Sequence, residues 1–434
     1  MTMIYGSEGA IPRILFFYHG VGLPRMKTLD SILHGIEDNA DEMVSVMIGM
    51  IGHPALAPVN GGKGETEKAD YLQGMLVGFD EVRRIDVPDD IDSSVMRCNI
   101  MARKKGRKDG TLWIIAHMDV VPAGDPELWT SPPFQGVLRD GSVYGRGTED
   151  NGQSIISSMF ASRSFLNEDL QGMSIGVAYV ADEETGSIKG IKHLLDMGCF
   201  SKDDVIMVPD SCSEDGTEIE IGEKTSLWLR FVIEGKTTHG STPEEGINAY
   251  RVSTLLLTDL MQTLPERFPD RDLFFNNGTS TFEPTKRPAT VDGINIIPGH
   301  DEFCMDIRLL PRYDADDVIS LVENIAGCYA RDSGAEISVE VVGRQDAGHP
   351  SSTDTPAFRE LADAIRSVLG VEPRGVGIGG GTCANFFRQK GFDAYVWQYG
   401  GGTLHAPDEH VPVRNMVIDA KVYATLIYRL CLQG

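Results

Sequence analysis

Four short runs, LWIIA (112–116), SIGVAYV (174–180), DVIMV (204–208) and AYVWQ (394–398), are apolar at nearly every position. A strand with one face in water alternates in polarity. A run without alternation is a strand buried on both faces, which is the situation inside a parallel sheet covered by helices. Helical patterns stand between and before these runs: SILHGIEDNADEMVSVMIGMI (31–51), GQSIISSMFASRSFL (152–166) and TPAFRELADAIRSVL (355–369). The chain is therefore expected to be α/β, with a mostly parallel sheet and helices on both faces.

Residues 226–342 carry a different pattern. SLWLRFVIEG reads as a strand of partly alternating polarity, and AYRVSTLLLTDLMQTL as a helix. TSTFEP and EFCMDIRLL read as two more strands. A helix opened by Asp314 or Asp316 follows, then the strand AEISVEVVG. This β-α-β-β-α-β order is that of a small open sandwich. At 434 residues the chain exceeds what one core serves. The expected division is a first domain of 26–225, interrupted by an inserted domain of 226–342 and completed by 343–434. Residues 1–25 are read as an N-terminal appendage, or Met26 as the true start.

What stands at the end of each buried run decides the chemistry. LWIIA stops at His117, with Asp119 two residues on. SIGVAYV ends in Asp182, Glu183 and Glu184, and DVIMV in Asp210. AYVWQ leads through a glycine-rich turn to His405, and Asp150 stands in YGRGTEDNGQ where a helix begins. Sites in open α/β sheets lie outside the carboxyl ends of the strands. Taken singly, each residue has a plain structural reading: HxD as a hydrogen-bonded pair, Asp150 and Asp210 as caps or turn residues, Glu-Glu as a solvated start. Taken together they bring several carboxylates and two imidazoles to one edge, and unpaired carboxylates at close range repel. A pair of divalent cations relieves that repulsion. With His, Asp and Glu and no cysteine in the set, zinc is the first choice, and cobalt and manganese are the alternatives. One carboxylate bridging two ions about 3.5–4 Å apart is the usual two-metal hydrolase arrangement.

Charge and cysteine usage exclude other classes. The net charge is -25, a surface that repels phosphate backbones and anionic lipid, so neither nucleic acid nor membrane is an expected partner. No apolar run reaches the roughly 18 residues of a membrane span. The 7 cysteines are scattered, with no CxxC pair, so a disulfide framework is not expected and a reducing cytoplasm fits.

The motifs HMDVVP, WTSPPFQGVLRDGSVYGRGTEDNG, ADEETGS, PDS, GKTTHGSTPEEGINA, GINIIPG, DIRLLP, GGGT and LHAPDE occur in this order from about Met26 onward. Together they make the chain similar to the M20 family of zinc aminoacylases and carboxypeptidases, which includes acetylornithine deacetylase and succinyl-diaminopimelate desuccinylase. The resemblance implies that His117, Asp150, Glu184, Asp210 and His405 are metal ligands, with Asp150 bridging. It implies Glu183 as the general base that activates a metal-bridging water, with Glu183 and Glu184 pointing opposite ways from an extended segment. Asp119 is then the acceptor that orients His117. In the inserted lid, His239 matches a histidine that polarises the scissile carbonyl. Asn295 matches an assisting asparagine, and Arg308 an arginine that grips a substrate carboxylate. Gly381 and Thr382 keep the family's turn at the substrate end. The resemblance also implies a homodimer formed through the lid, which leaves open whether His239 acts in its own subunit or across the dimer.

The chain departs from the family at GGGTCANFF (379–387), where Cys383 and Asn385 replace an acid and a base commonly found there. The substrate end is therefore left unassigned. The expected function is deacylation of an N-acyl amino acid of the N-succinyl-diaminopimelate or N-acetylornithine type. A dipeptidase or carboxypeptidase on the same scaffold is the near alternative, and a non-catalytic binding module the distant one. The intact Glu183 and five ligand positions argue against the last.

Overall fold

Thr111–His117 and Ser174–Val180 are buried along their whole length in a computed structural model that describes residues 27–433 apart from 211, 290 and 292. The expected appendage 1–25, and Met26, lie outside the described residues. Six strands form the central sheet, in the spatial order Glu81–Pro88, Met96–Lys104, Ser174–Val180, Thr111–His117, Val205–Met207 and Ala394–Tyr395. The last four are mutually parallel, and Met96–Lys104 is antiparallel to both of its neighbours. It alone in this sheet runs against the rest.

Both faces are covered. Leu112, Ile114 and Ala116 enter one core with the helices Leu29–Asp38, Ala40–Ile51, Gln153–Arg163, Pro356–Leu369 and Val413–Ile427. Trp113 and Ile115 enter a second core with residues of the short helices Ile191–Asp196 and Ala384–Gln389. That two-sided burial is why the runs do not alternate. The helix Pro356–Leu369 starts where its sequence says: Thr355 accepts a hydrogen bond from Phe358 N, proline stands in the first turn, and Gly370 closes the end at φ 71°.

Two expected elements are divided. The pattern 31–51 becomes two helices, broken at Asn39. AYVWQ does not run as one strand. Ala394–Tyr395 pairs with Val205–Met207, Val396 bonds Glu220, and Gln398–Tyr399 pairs with Cys212–Ser213. Three successive partners split what reads as a single apolar run.

The segment of different pattern is built from Thr225–Glu234, Ala249–Arg267, Thr281–Lys286, His300–Leu309, Ala315–Ser333 and Glu336–Gln345. Its four strands form an antiparallel sheet in the order 281–286, 300–309, 225–234, 336–345. Leu227, Leu229, Phe231 and Ile233 are buried against Leu256, Leu260, Val318 and Val322 of the two helices, while Trp228 and Glu234 face outward. Asp314 is the residue that opens the second helix, its carboxylate accepting from Asp316 N at 2.9 Å. The chain is thus α/β with a mostly parallel central sheet and an added β-α-β-β-α-β unit.

Because the added unit has its own apolar core, Leu260→Ala, at a position with no exposed surface, is expected to cost about 2–5 kcal/mol. The check is a lower urea midpoint for loss of far-ultraviolet circular dichroism.

Candidate metal centre

The carboxyl ends of the central strands and two loops bring seven residues together. His117 is the last residue of its strand and is 2% exposed. Its Nε2 lies 2.8 Å from Asp150 Oδ1 and 3.4 Å from Asp210 Oδ1. His405 Nε2 lies 2.9 Å from Asp150 Oδ2 and 3.4 Å from Glu184 Oε2. Asp150 therefore presents one carboxylate oxygen to each imidazole. The ligand atoms of His117, Asp150 and Asp210 all lie within 4.8 Å of one another, and so do those of Asp150, Glu184 and His405.

Asp150 does not cap the helix that follows it. The cap position is Gly152, and Asp150 lies in a distorted turn after Gly147, whose φ is 83°. A Cβ on Gly147 would stand 2.6 Å from Val120 Cγ1, so both conformation and space call for glycine. Asn151, joined to Asp150 by a cis peptide, donates to Asp210 Oδ1 at 2.6 Å and to Pro209 O at 2.9 Å.

Two details differ from the sequence reading. Glu183 and Glu184 do not lie in an extended segment; they sit in a 3-10 turn entered through left-handed Asp182, φ 68°. The cause is Asp119, whose carboxylate accepts from Glu183 N at 3.0 Å and Glu184 N at 3.1 Å. The nearest acceptor for His117 Nδ1 is accordingly the Asp119 backbone carbonyl at 3.0 Å, with the carboxylate at 3.5 Å.

The electrostatics are those of an acid-rich pocket. Burial pushes Glu184 up to about 7 and raises Asp210. Burial, then Asp210, holds Glu183 well above the carboxylate range. Hydrogen bonds donated to Asp150 and then Glu184 raise His405 to about 10. Burial opposes charge on His117, yet Asp210 and Asp150 outweigh it and hold the ring protonated well above 6.5. Burial likewise works against charge on Asp150, where His117 and His405 prevail and keep it ionised.

Behind the ligands stand cations that the sequence reading passed over. Arg97 is buried and donates to Glu65 Oε1 at 2.6 Å and Asp182 Oδ1 at 2.9 Å, with Asp119 Oδ2 at 3.8 Å. Lys68, also buried, donates to Met118 O at 2.7 Å. Arg146 pairs with buried Glu409 at 2.5 Å. Glu149 stands next to Asp150 in TEDNG, and Glu409 lies in the same short motif as His405, LHAPDEH, a positional signal that could have singled them out.

The residues expected in the lid fall into two groups. Thr238–His239 pairs with Ile296–Ile297, and Gly240 N donates to Asn295 O at 2.8 Å, so His239 and Asn295 are neighbours. Both are exposed, and the hydrogen bonds of the His239 ring are with Ser241. Arg308 is engaged through two nitrogens by Asp306, at 2.7 and 3.0 Å, and reaches Gly379 O at 3.3 Å, beside the turn that carries Gly381 and Thr382. Thr382 donates through N and Oγ1 to buried Glu223. Asn385 is structural, spanning Gly348 N and Asp346 O. Cys383 is buried, and burial, then Glu183 and Asp210, hold its thiol protonated.

The donor set fits a pair of divalent cations. It consists of hard carboxylate oxygens and imidazole nitrogens, and it converges from two sides on one shared carboxylate.

The sequence profile of peptidase family M20/M25/M40 matches residues 113–429. An uncharacterised metallohydrolase of Methanocaldococcus jannaschii is 36% identical over 411 residues, which span 90% of this chain and 100% of the relative. The succinyl-diaminopimelate desuccinylase of Gluconacetobacter diazotrophicus is 30% identical over 343 residues, 76% of this chain and 84% of that protein. Human carnosine dipeptidase 1 superposes with a TM-score of 0.77 at 18% identity, over 94% of this chain and 99% of that one.

A cation entering this cluster needs neutral imidazoles. His405 stays charged up to about pH 10 in the metal-free protein, and His117 is charged at neutral pH as well. Zinc added to metal-free protein in weakly buffered solution at pH 8 is therefore expected to release about two protons per chain. A pH-indicator dye measures them.

Proposed function

The chain belongs to peptidase family M20/M25/M40 and is a metallohydrolase of it; on that premise we propose that it hydrolyses the amide bond of an N-acyl amino acid, of the N-succinyl-diaminopimelate type or the related N-acetylornithine type. The observation that carries the reading is Asp150, held between His117 and His405 by its two oxygens with Glu183 in the adjoining turn. The desuccinylase relative supports the substrate class. The dipeptidase with a similar fold supports the near alternative, a dipeptidase or carboxypeptidase on the same scaffold.

In this proposal His117, Asp150 and Asp210 hold one divalent ion, and Asp150, Glu184 and His405 the other, with zinc preferred over cobalt or manganese. Such ions, when bound, polarise a carbonyl and lower the pKa of water towards neutrality. Glu183 takes a proton from the attacking water as its oxygen bonds to the amide carbon. Glu183 then gives that proton to the nitrogen as the C–N bond breaks, leaving a carboxylic acid and an amine. Asp119 keeps Glu183 and Glu184 in register by holding their backbone N–H groups. Arg308, Gly381 and Thr382 line the substrate end. His239 and Asn295, exposed and linked to each other, serve the carbonyl oxygen from the lid, reaching the other copy's site in a homodimer. A reducing, cytoplasmic setting suits the six free thiols among the described residues.

Glu183→Gln is expected to lower kcat by about 10²–10⁴-fold while zinc content per chain stays that of the wild type. An unchanged kcat removes Glu183 from the mechanism. The zinc-loaded protein is then assayed against N-succinyl-diaminopimelate, N-acetylornithine and a set of free dipeptides. Release of succinate or acetate is the expected result; cleavage confined to dipeptides overturns the deacylase assignment in favour of the peptidase.

A further inference from the structure

His117 and His405 are held in different ways. His117 ends a central strand, is buried, and has its second ring nitrogen on the Asp119 carbonyl. His405 sits on a loop with a left-handed φ of 63°, and its side chain is 49% exposed. Its ring meets Asp150 and Glu184, which belong to the same candidate ligand set. The place of that ring must therefore be set through its backbone.

Two buried carboxylates set it. Glu409 Oε1 accepts from Glu149 N at 2.9 Å and Asp150 N at 3.1 Å. Glu409 Oε2 accepts from Gly147 N at 3.0 Å and from Arg146 Nη1 at 2.5 Å. In return, Glu149 Oε1 accepts from Gly402 N at 2.8 Å, and Glu149 Oε2 from Thr403 N at 2.8 Å and from the Thr403 hydroxyl. Arg146 Nη2 adds a contact of 3.3 Å to His405 O. The acid of the His405 loop thus fills the amides of the Asp150 loop, and the acid of the Asp150 loop fills those of the His405 loop. Both side chains are 3% exposed or less.

We propose that Glu149 and Glu409 are positioning residues that lock the Asp150 and His405 loops to one another, and thereby set how tightly the Asp150–Glu184–His405 half of the centre holds its cation. The half at His117 shares Asp150 but takes its other two ligands, His117 and Asp210, from the carboxyl ends of central strands outside the lock, so it depends on the lock less. The inference rests on the two-metal reading given above.

The test uses the full chain and zinc. Wild type, Glu149→Gln, Glu409→Gln and Thr403→Val are loaded with zinc and dialysed against graded chelator, and zinc per chain is measured by elemental analysis. Asp301→Asn serves as control, because Asp301 is a fully buried carboxylate in the added sheet, paired with Arg287. Glutamine keeps the shape of glutamate but sets an NH2 group against backbone donors. The lock variants are expected to lose one of two zinc ions at about 10–100-fold lower chelator activity than wild type. The second ion is expected to stay, and Asp301→Asn to follow wild type. Should Glu409→Gln fail to fold, Glu149→Gln and Thr403→Val decide the matter. Folded lock variants that release both ions as wild type does overturn the lock, as does equal loss from Asp301→Asn. A wild type that takes up no zinc overturns the two-metal reading instead.

Discussion

One carboxylate shared by two imidazoles organises this protein. Asp150 gives an oxygen to His117 from the central sheet and an oxygen to His405 from a distant loop. Around it Glu183, Glu184 and Asp210 crowd into the same edge. Two unit charges 4 Å apart interact by about 4 kcal/mol at an effective dielectric of 20. Burial holds Glu184 and Asp210 towards the neutral form, while hydrogen bonds and attractions of this size to the neighbouring carboxylates hold both histidines charged. Positive charge is what this edge is shaped to receive, and the family to which the chain belongs is one of metallohydrolases.

Much of the arrangement was legible in the residues. The non-alternating runs fixed a doubly covered sheet because no other environment tolerates apolar side chains on both sides of a strand. The alternating runs of 226–342 fixed a second sheet with one open face. The candidate ligands were legible because each stands at the end of such a run, where the topology of a parallel sheet leads. AYVWQ was not legible as three pieces, since its division depends on which distant strands lie beside it. The fold around Glu183 was not legible either. Spacing says nothing of a carboxylate at the end of the neighbouring strand, and it is Asp119 that bends this segment into a tight turn.

What local sequence hid most completely was the second layer. Arg97, Lys68, Glu65, Glu149 and Glu409 look like ordinary surface charge when read along the chain, and charged residues are rarely buried unless paired. Each is buried because its partner arrives from far away: Glu65 to Arg97, Arg146 to Glu409, Met118 O to Lys68. Pairings of that kind carry no periodicity and no motif. The adjacency of Glu149 to Asp150, and of Glu409 to the loop of His405, is the nearest thing to a signal.

The reversal of a single strand has a wider consequence. Parallel strands all begin at one rim of a sheet and all finish at the other, so their first residues can never approach a pocket at the finishing rim. Met96–Lys104 runs the opposite way, and so its second residue, Arg97, arrives among Asp182, Glu65 and Asp119. A permanent guanidinium is anchored beneath the pocket by sheet pairing rather than by any loop. Loops above can then lengthen, shorten or change composition, as GGGTCANFF has done, while the floor of the pocket keeps its counter-ion.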